Sequence, residues 1–187
     1  MSILSISEMV AQINKNFFAK PYLYEVRIMG TDALTDADRD IMMNCSSVNV
    51  PGKNFQFVQD KRYGIGHVHN VPTGRSFTEV NMTFYESEYE REREYFSDWQ
   101  NRIYDQQTKR FKFFRDYVKD VYIIQKDKKG NKTYECKLID CYPSNLSPLD
   151  RSYSAEGITQ FNVNLQFYEI EETFYDKKKG YNPFSFL

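Results

Sequence analysis

The sequence has few of the features on which membrane proteins, secreted proteins and general nucleic-acid-binding proteins rely. It contains no long apolar run, so we expect no membrane-spanning helix and no membrane partner. The 25 Lys and Arg residues nearly balance the 26 Asp and Glu residues, and a net charge of −1 argues against wholesale binding of nucleic acid. The first residues lack the basic start and apolar core of a signal peptide. The three cysteines form no CxxC pair, so we interpret them as reduced thiols.

Catalytic and metal-binding patterns are also scarce. His67 and His69 are the only histidines, and their spacing places both side chains on one face of a strand, as a metal pair would require. No third ligand has suitable spacing. We therefore interpret them as surface or packed histidines, and a small metalloenzyme that uses both stays an alternative.

The acidic run that begins at Asp36 resembles the start of a calcium-binding loop. The sixth position, however, is Ile41 where glycine is required, and the twelfth is Ser47 where a bidentate Glu is required. We expect a solvated acidic loop over 31–47, with one helical turn. Because no nucleotide-binding or hydrolase motif occurs either, we predict no enzymatic activity, no cofactor and no metal.

What the chain has in excess is aromatic residues, at 17% of the sequence. Such density favours strands and large contact surfaces, and alternation of apolar and polar residues marks several strands. The clearest alternation is at 160–167, where Gln and Asn side chains lie on one face of the strand. The apolar side chains on its other face are those of Phe161, Val163, Leu165 and Phe167. We predict a mainly β fold, a barrel or sandwich of antiparallel strands, with one long flanking helix at about 86–103 and a short N-terminal helix that Ser5 begins.

The length fits one domain, 1–187, with residues 1–20 and 176–187 as peripheral assembly segments. One internal segment, 109–115, interleaves Lys and Arg with Phe, as single-strand nucleic-acid grooves do. A half-buried strand with its charges outward explains the same alternation, and we favour that interpretation. A nucleic-acid-binding module that uses 109–115 and the turn at 126–132 stays an alternative.

Four local patterns, taken in order, resemble the tail tube proteins of contractile-tailed bacteriophages. They are Phe17-Phe18-Ala19-Lys20-Pro21-Tyr22-Leu23-Tyr24-Glu25-Val26, then Val71-Pro72-Thr73-Gly74-Arg75-Ser76-Phe77, then Phe96-Ser97-Asp98-Trp99, and finally Cys141-Tyr142-Pro143-Ser144-Asn145-Leu146 with the strand at 158–165. Together they span about 17–172. The acidic loop 31–47 and the tail 176–187 depart from the compact members of the family.

This resemblance implies a non-enzymatic virion protein, made in the host cytoplasm, that forms hexameric rings stacked into a tube. The tube would conduct genomic DNA without binding it specifically and would contact sheath, baseplate and tape-measure proteins. A tube initiator or a baseplate-to-tube junction protein of the same fold stays an alternative. Near-neutral or acidic lumen faces would let DNA slide, because clustered Lys and Arg would hold its phosphates.

Ring closure needs a head-to-tail interface, and aromatic residues suit such surfaces. We expect loop 31–47, the Pro51-Gly52 segment and the two termini to contact neighbouring rings. The side chains that we expect at subunit interfaces are Phe17, Phe18, Pro51, Phe55, Phe57, Arg75, Tyr181, Phe184 and Phe186.

Overall fold

The computed structural model describes residues 20–29, 36–60, 69–149, 151–152 and 157–175, and these form a mainly antiparallel β fold with three helices. The first half of the chain forms β1 (Tyr24–Met29), α1 (Asp36–Met43), β2 (Cys45–Val48), β3 (Lys53–Asp60), β4 (His69–Phe77), β5 (Val80–Tyr85) and α2 (Arg91–Ile103). The second half forms β6 (Tyr104–Asp105), β7 (Arg110–Phe111), α3 (Phe114–Tyr117), β8 (Lys119–Lys126), β9 (Lys132–Leu146), β10 (Gln160–Gln166) and β11 (Glu169–Phe174).

Strand β9 pairs with three other strands, more than any other described strand does. Its 15 residues pair with β8 along one edge, and along the other edge they pair with β10 and β11 in turn. The resulting strand order is β1-β8-β9-β10-β5-β2, with β11 beside the first half of β9. The predicted barrel or sandwich of antiparallel strands with a long flanking helix is therefore confirmed.

The core follows from period-two alternation in the strands. In β10, Phe161, Val163 and Leu165 are at most 1% exposed, and they pair in register with Phe84, Met82 and Val80 of β5, which are fully buried. Burial of each such side chain is worth about 1.5–3 kcal/mol. Phe167, which we predicted on the same face, is partly buried against this core.

Helix α2 covers one side of the core with Phe96 and Trp99. The Phe96 ring lies 4.9 Å from that of Phe84, and the Trp99 indole Nε1 donates a hydrogen bond of 2.6 Å to the carbonyl of Tyr117. The helix starts at Arg91 rather than at residue 86, because Glu90 adopts a left-handed conformation with φ of 54°. Tyr89 precedes the helix and is 73% exposed.

Two local predictions are wrong in the described residues. The expected acidic loop over 31–47 contains helix α1 and strand β2, and α1 buries Ile41 and Met42 against the sheet. The expected half-buried strand over 109–115 contains only the two residues of β7, and its phenylalanines are exposed. The predicted N-terminal helix lies outside the described residues.

Where the structure describes the chain, no helix is long and apolar enough to cross a membrane.

Candidate functional site

A two-stranded hairpin, β3 with β4, stands apart from the main sheet. Its strands pair with each other from Lys53 opposite Phe77 to Asp60 opposite His69, and with no other described strand. Eight paired residues in an extended strand span about 26 Å. The hairpin is therefore a long two-stranded unit that pairs with none of the other described strands.

One face of this hairpin carries exposed aromatic residues. Phe55 is 53% and Phe57 is 58% exposed, and they are opposite Arg75 and Pro72 respectively. Directly opposite residues of an antiparallel pair share a face, so the phenylalanines, the arginine and the proline form one surface. The structure thus places three of the residues that we predicted at interfaces, Phe55, Phe57 and Arg75, side by side.

The other face carries a second exposed apolar pair, which sequence analysis missed. Val58 is 56% exposed and lies opposite Val71, which is 37% exposed. Two isolated valines give a weak sequence signal, and their pairing depends on a register that the sequence does not reveal. With apolar side chains on both faces, the hairpin has the character of a contact surface rather than of a solvated loop.

The base of the hairpin is fixed to the core. Pro51, also predicted at an interface, is buried here, and Gly52 and Thr78 close the base. The Gly52 N–H donates to Thr78 Oγ1 at 2.8 Å, and the Thr78 N–H donates to the Gly52 carbonyl at 3.2 Å. The Phe77 ring lies 5.6 Å from the ring of Phe167. Pro51 therefore helps to anchor the hairpin, whereas Phe55 and Phe57 lie farther from its base.

On the aromatic face, an ion pair and a cation–π contact also hold the base of the hairpin in place. Lys53 forms an ion pair with Glu172 of β11, and the Arg75 guanidinium lies 6.0 Å from the centroid of the Phe77 ring. Burial opposes charge on Glu172, but the stronger effect is its hydrogen bond with Lys53, so the pKa of Glu172 is lowered. A fixed base gives the hairpin a defined direction.

A β-bulge interrupts the hairpin at Thr73. Gln56 is opposite Gly74, whereas the next residue, Phe57, is opposite Pro72, so Thr73 is the extra residue on β4. The Thr73 hydroxyl donates to the Gln56 carbonyl at 3.4 Å. Bulges increase local twist, and a proline removes one donor from the strand, so both features limit indiscriminate pairing along this edge.

The structure also contains a cleft of about 1200 Å³ between strands β1 and β2, and α1 lines one side of it. The Tyr24 hydroxyl crosses it and donates to the Cys45 carbonyl at 2.8 Å. Burial raises the pKa of Tyr24 to about 12, and burial likewise raises the pKa of the Cys45 thiol to about 12. Both groups are neutral at physiological pH, so the cleft offers no thiolate nucleophile.

The described residues contain no cluster of three His, Cys, Asp or Glu side chains that could hold a metal. His69 is exposed on β4, and His67 lies outside the described residues. The cysteines are free thiols, and burial raises the pKa of both Cys136 and Cys141.

The remaining predicted interface residues, Phe17, Phe18, Tyr181, Phe184 and Phe186, lie outside the described residues. The hairpin is therefore the part of the predicted interface whose geometry is defined.

Comparison with known proteins is consistent with an assembly role. A sequence profile of the family described as "Phage tail tube protein" matches residues 12–171. No curated protein matches the chain significantly.

Several solved structures share the fold at low sequence identity. A chain of the extended-state PVC sheath–tube complex, from an extracellular contractile injection system, has a TM-score of 0.61 at 15% identity and covers 92% of this chain and 100% of its own. A chain of the PVC sheath/tube terminator has a TM-score of 0.63 at 14% identity, with 84% and 98% covered. A chain of the anti-feeding prophage baseplate has a TM-score of 0.64 at 8% identity, with 85% and 97% covered.

Proposed function

The chain belongs to the phage tail tube protein family, and we propose that its copies form hexameric rings that stack into the tail tube through which genomic DNA leaves the virion. In this role the protein is a structural component without catalytic activity. Its partners are further copies of itself, with the sheath outside the tube, the baseplate at its end and the tape-measure protein within it. It is made in the host cytoplasm and functions in the virion tail.

The observation that supports assembly best is the β3–β4 hairpin. The hairpin is anchored at its base, and no described residue buries Phe55 and Phe57, so its apolar surface is available to another copy. A ring subunit needs a heterologous contact, in which one surface binds a different surface of the next copy. The hairpin meets that need, and its length lets it reach a neighbour in the same ring or in the adjacent ring.

The outward face of β10 supports the proposal that DNA slides through the tube. Its Gln and Asn side chains are neutral, and they are held by hydrogen bonds to neighbouring polar groups rather than by cations. Asn162 accepts from the Thr83 hydroxyl at 2.8 Å, and both Asn164 and Gln166 donate to the Glu79 carboxylate. A neutral to acidic lumen face of this kind would not bind phosphate, because it supplies no cation to replace the counterions of DNA.

A second candidate is a ring protein at one end of the tube. The fold is shared by chains from a sheath/tube terminator, a tube-terminating cap and a baseplate. Such a protein forms a single ring and adds no further rings.

Negative-stain electron microscopy of the purified protein over a concentration series tests the proposal. Long hollow tubes with a regular axial repeat and six-fold symmetric end views are the expected result. Discrete rings that never stack would favour the terminal ring protein. Monomers at every concentration, with or without an added baseplate, would overturn both.

A further inference from the structure

Residues 109–115 form an exposed basic and aromatic surface, which we call the basic segment. Phe111 is 77% exposed, Phe113 84% and Phe114 44%. The four cations between and around them are Lys109, Arg110, Lys112 and Arg115, and none forms an ion pair with a described residue. Asp105 lies opposite Arg110 and partly offsets the positive charge of Arg110 and Lys112. A surface on which cations still outnumber carboxylates beside three exposed phenyl rings is typical of a binding site for an acidic, partly apolar partner.

The backbone of the basic segment is held in place before any partner binds. The Lys112 N–H donates to the carbonyl of Ile103 at the end of α2, at 3.0 Å. The Asp105 carboxylate accepts from the N–H of Gln107 at 2.9 Å and from that of Thr108 at 3.3 Å, which fixes the preceding turn. A preordered surface loses little conformational entropy on binding.

Tyrosine side chains contact Phe111 and Phe114 from one side only. The Phe111 ring lies 5.1 Å from that of Tyr104, and the Phe114 ring lies 5.6 Å from that of Tyr117 and 6.3 Å from that of Tyr142. No described residue covers the solvent-facing sides of Phe111 and Phe114 or most of Phe113.

A surface of the opposite charge lies along β11, and we call it the acidic edge (168–175). It contains three glutamates, Glu169, Glu171 and Glu172, and no cation. The Glu171 side chain is 62% exposed, at 4.0 Å from Lys137. The aromatic residues Tyr168 and Phe174, at 71% and 72% exposed, flank the glutamates. No described strand pairs with the outer edge of β11, so its backbone groups are free to meet another chain.

The two surfaces are on opposite flanks of β9. The basic segment leads through α3 into β8, which pairs with one edge of β9, whereas β11 pairs with the other edge. In a head-to-tail arrangement, a surface on one flank of a copy can meet a surface on the other flank of the next copy. This is the arrangement that a closed ring requires.

We propose that the basic segment of one copy docks on the acidic edge of the next copy and so forms a lateral contact of the ring. The inference deepens the proposed function and rests on it. The cations of the basic segment meet the exposed carboxylates of Glu169 and Glu171, whereas Glu172 already pairs with Lys53 within its own copy. The phenylalanines of one surface meet the exposed aromatic residues of the other, and a strand edge that no described strand covers is covered. Complementary charge also selects this head-to-tail contact, because two basic segments or two acidic edges repel each other.

Charge reversal tests the contact. The variant R110E/K112E makes the basic segment acidic, and the variant E169K/E171K makes the acidic edge basic. Each alone brings like charges together at every contact, so we expect the critical concentration for assembly to rise by at least about 100-fold. An equimolar mixture of the two variants, or one chain that carries all four changes, restores opposite charges and should assemble as the wild type does.

The matched control is R91E/K129E, which reverses two exposed cations outside the basic segment. It should assemble normally, and unchanged circular dichroism and melting temperature should show that all variants fold. If the wild type forms tubes and both charge-reversed variants do too, this contact is overturned while the proposed function stands. If the variants fail and the mixture does not assemble, the pairing of these two surfaces is wrong. If the wild type never forms rings, the proposed function fails and this contact fails with it.

One further readout distinguishes a different occupant. If R110E/K112E assembles normally but loses low-salt binding of a single-stranded oligonucleotide that the wild-type monomer shows, the basic segment binds nucleic acid, and the proposed contact is overturned.

Discussion

The carboxylate of Glu92 accepts two hydrogen bonds from Ser87, one from the backbone N–H at 2.9 Å and one from the hydroxyl at 2.7 Å. The Asn44 amide, at the junction of α1 and β2, donates a third at 2.6 Å. Glu92 is only 2% exposed, so this one side chain fixes the start of α2 and ties it to a segment 48 residues earlier.

Glu92→Gln should destabilise the fold by about 1–3 kcal/mol, because the amide loses the charge that strengthens these hydrogen bonds. Burial alone would raise the pKa of Glu92, but its hydrogen bonds outweigh that effect and lower the pKa. A lowered pKa in the folded state means that the stability from Glu92 is present above the ordinary value of 4.5 and is lost as pH falls through the folded-state pKa.

Urea unfolding as a function of pH measures this contribution. The difference in unfolding free energy between wild type and Glu92→Gln should shrink below pH 4.5. The matched control is Glu94→Gln, an exposed position in the same first turn of α2, which should change stability little. A constant difference down to acidic pH would contradict the assigned role of the charge.

Tyr24→Phe should weaken the closure between β1 and β2. The change removes the hydroxyl that donates to the Cys45 carbonyl and costs about 0.5–1.5 kcal/mol at neutral pH. Because burial raises the pKa of Tyr24 from 10.0 to about 12, its contribution is fully present below pH 10 and is lost as pH rises through about 12. Thermal melts of both proteins between neutral and alkaline pH should show the difference shrinking over that window, and no difference at neutral pH would contradict it.

The thiols should be unreactive in the folded protein. Burial raises the pKa of Cys45 to about 12 and raises those of Cys136 and Cys141 as well, so little thiolate exists at pH 8. A chromogenic disulfide reagent should therefore react slowly with native protein and rapidly with all three thiols in denaturant. Fast reaction of even one thiol in the native state would show that the region around it opens readily.

The sequence predicted most of the strands because their alternation reports burial on one face. The turn at 126–132 does join two paired strands, β8 and β9, although β9 continues to Leu146 because β10 extends the pairing past Pro143. The start of α2 could not be predicted in this way. It depends on a buried Glu92 that binds Ser87 and Asn44, and a Glu-rich run gives no sign of which carboxylate is buried.

Alternation failed at the basic segment for a related reason. Alternation of aromatic and charged residues predicts that the two kinds of side chain point in opposite directions. It does not predict that another part of the protein covers the aromatic residues. In this structure only Tyr104 lies against the Phe111 ring, and Phe111 and Phe113 are 77% and 84% exposed, so the expected half-buried strand does not form. The hairpin surface was predictable only in part. The aromatic residues were visible in the sequence, whereas the pairing of Phe55 with Arg75 depends on a strand register, and that of Phe57 with Pro72 depends also on the bulge at Thr73.

The double variant Phe55→Ser with Phe57→Ser should impair assembly but leave the stability of the single copy nearly unchanged. Both side chains are more than half exposed in the single copy, so their loss should leave the melting temperature within a few degrees of the wild type. If they enter the neighbouring subunit, the assembled state loses their burial at every contact, and sedimentation should recover mostly unassembled protein. Tyr89→Ser is the control, because Tyr89 is also exposed but lies outside the hairpin. Tubes of wild-type length from the hairpin variant would remove these phenylalanines from the interface.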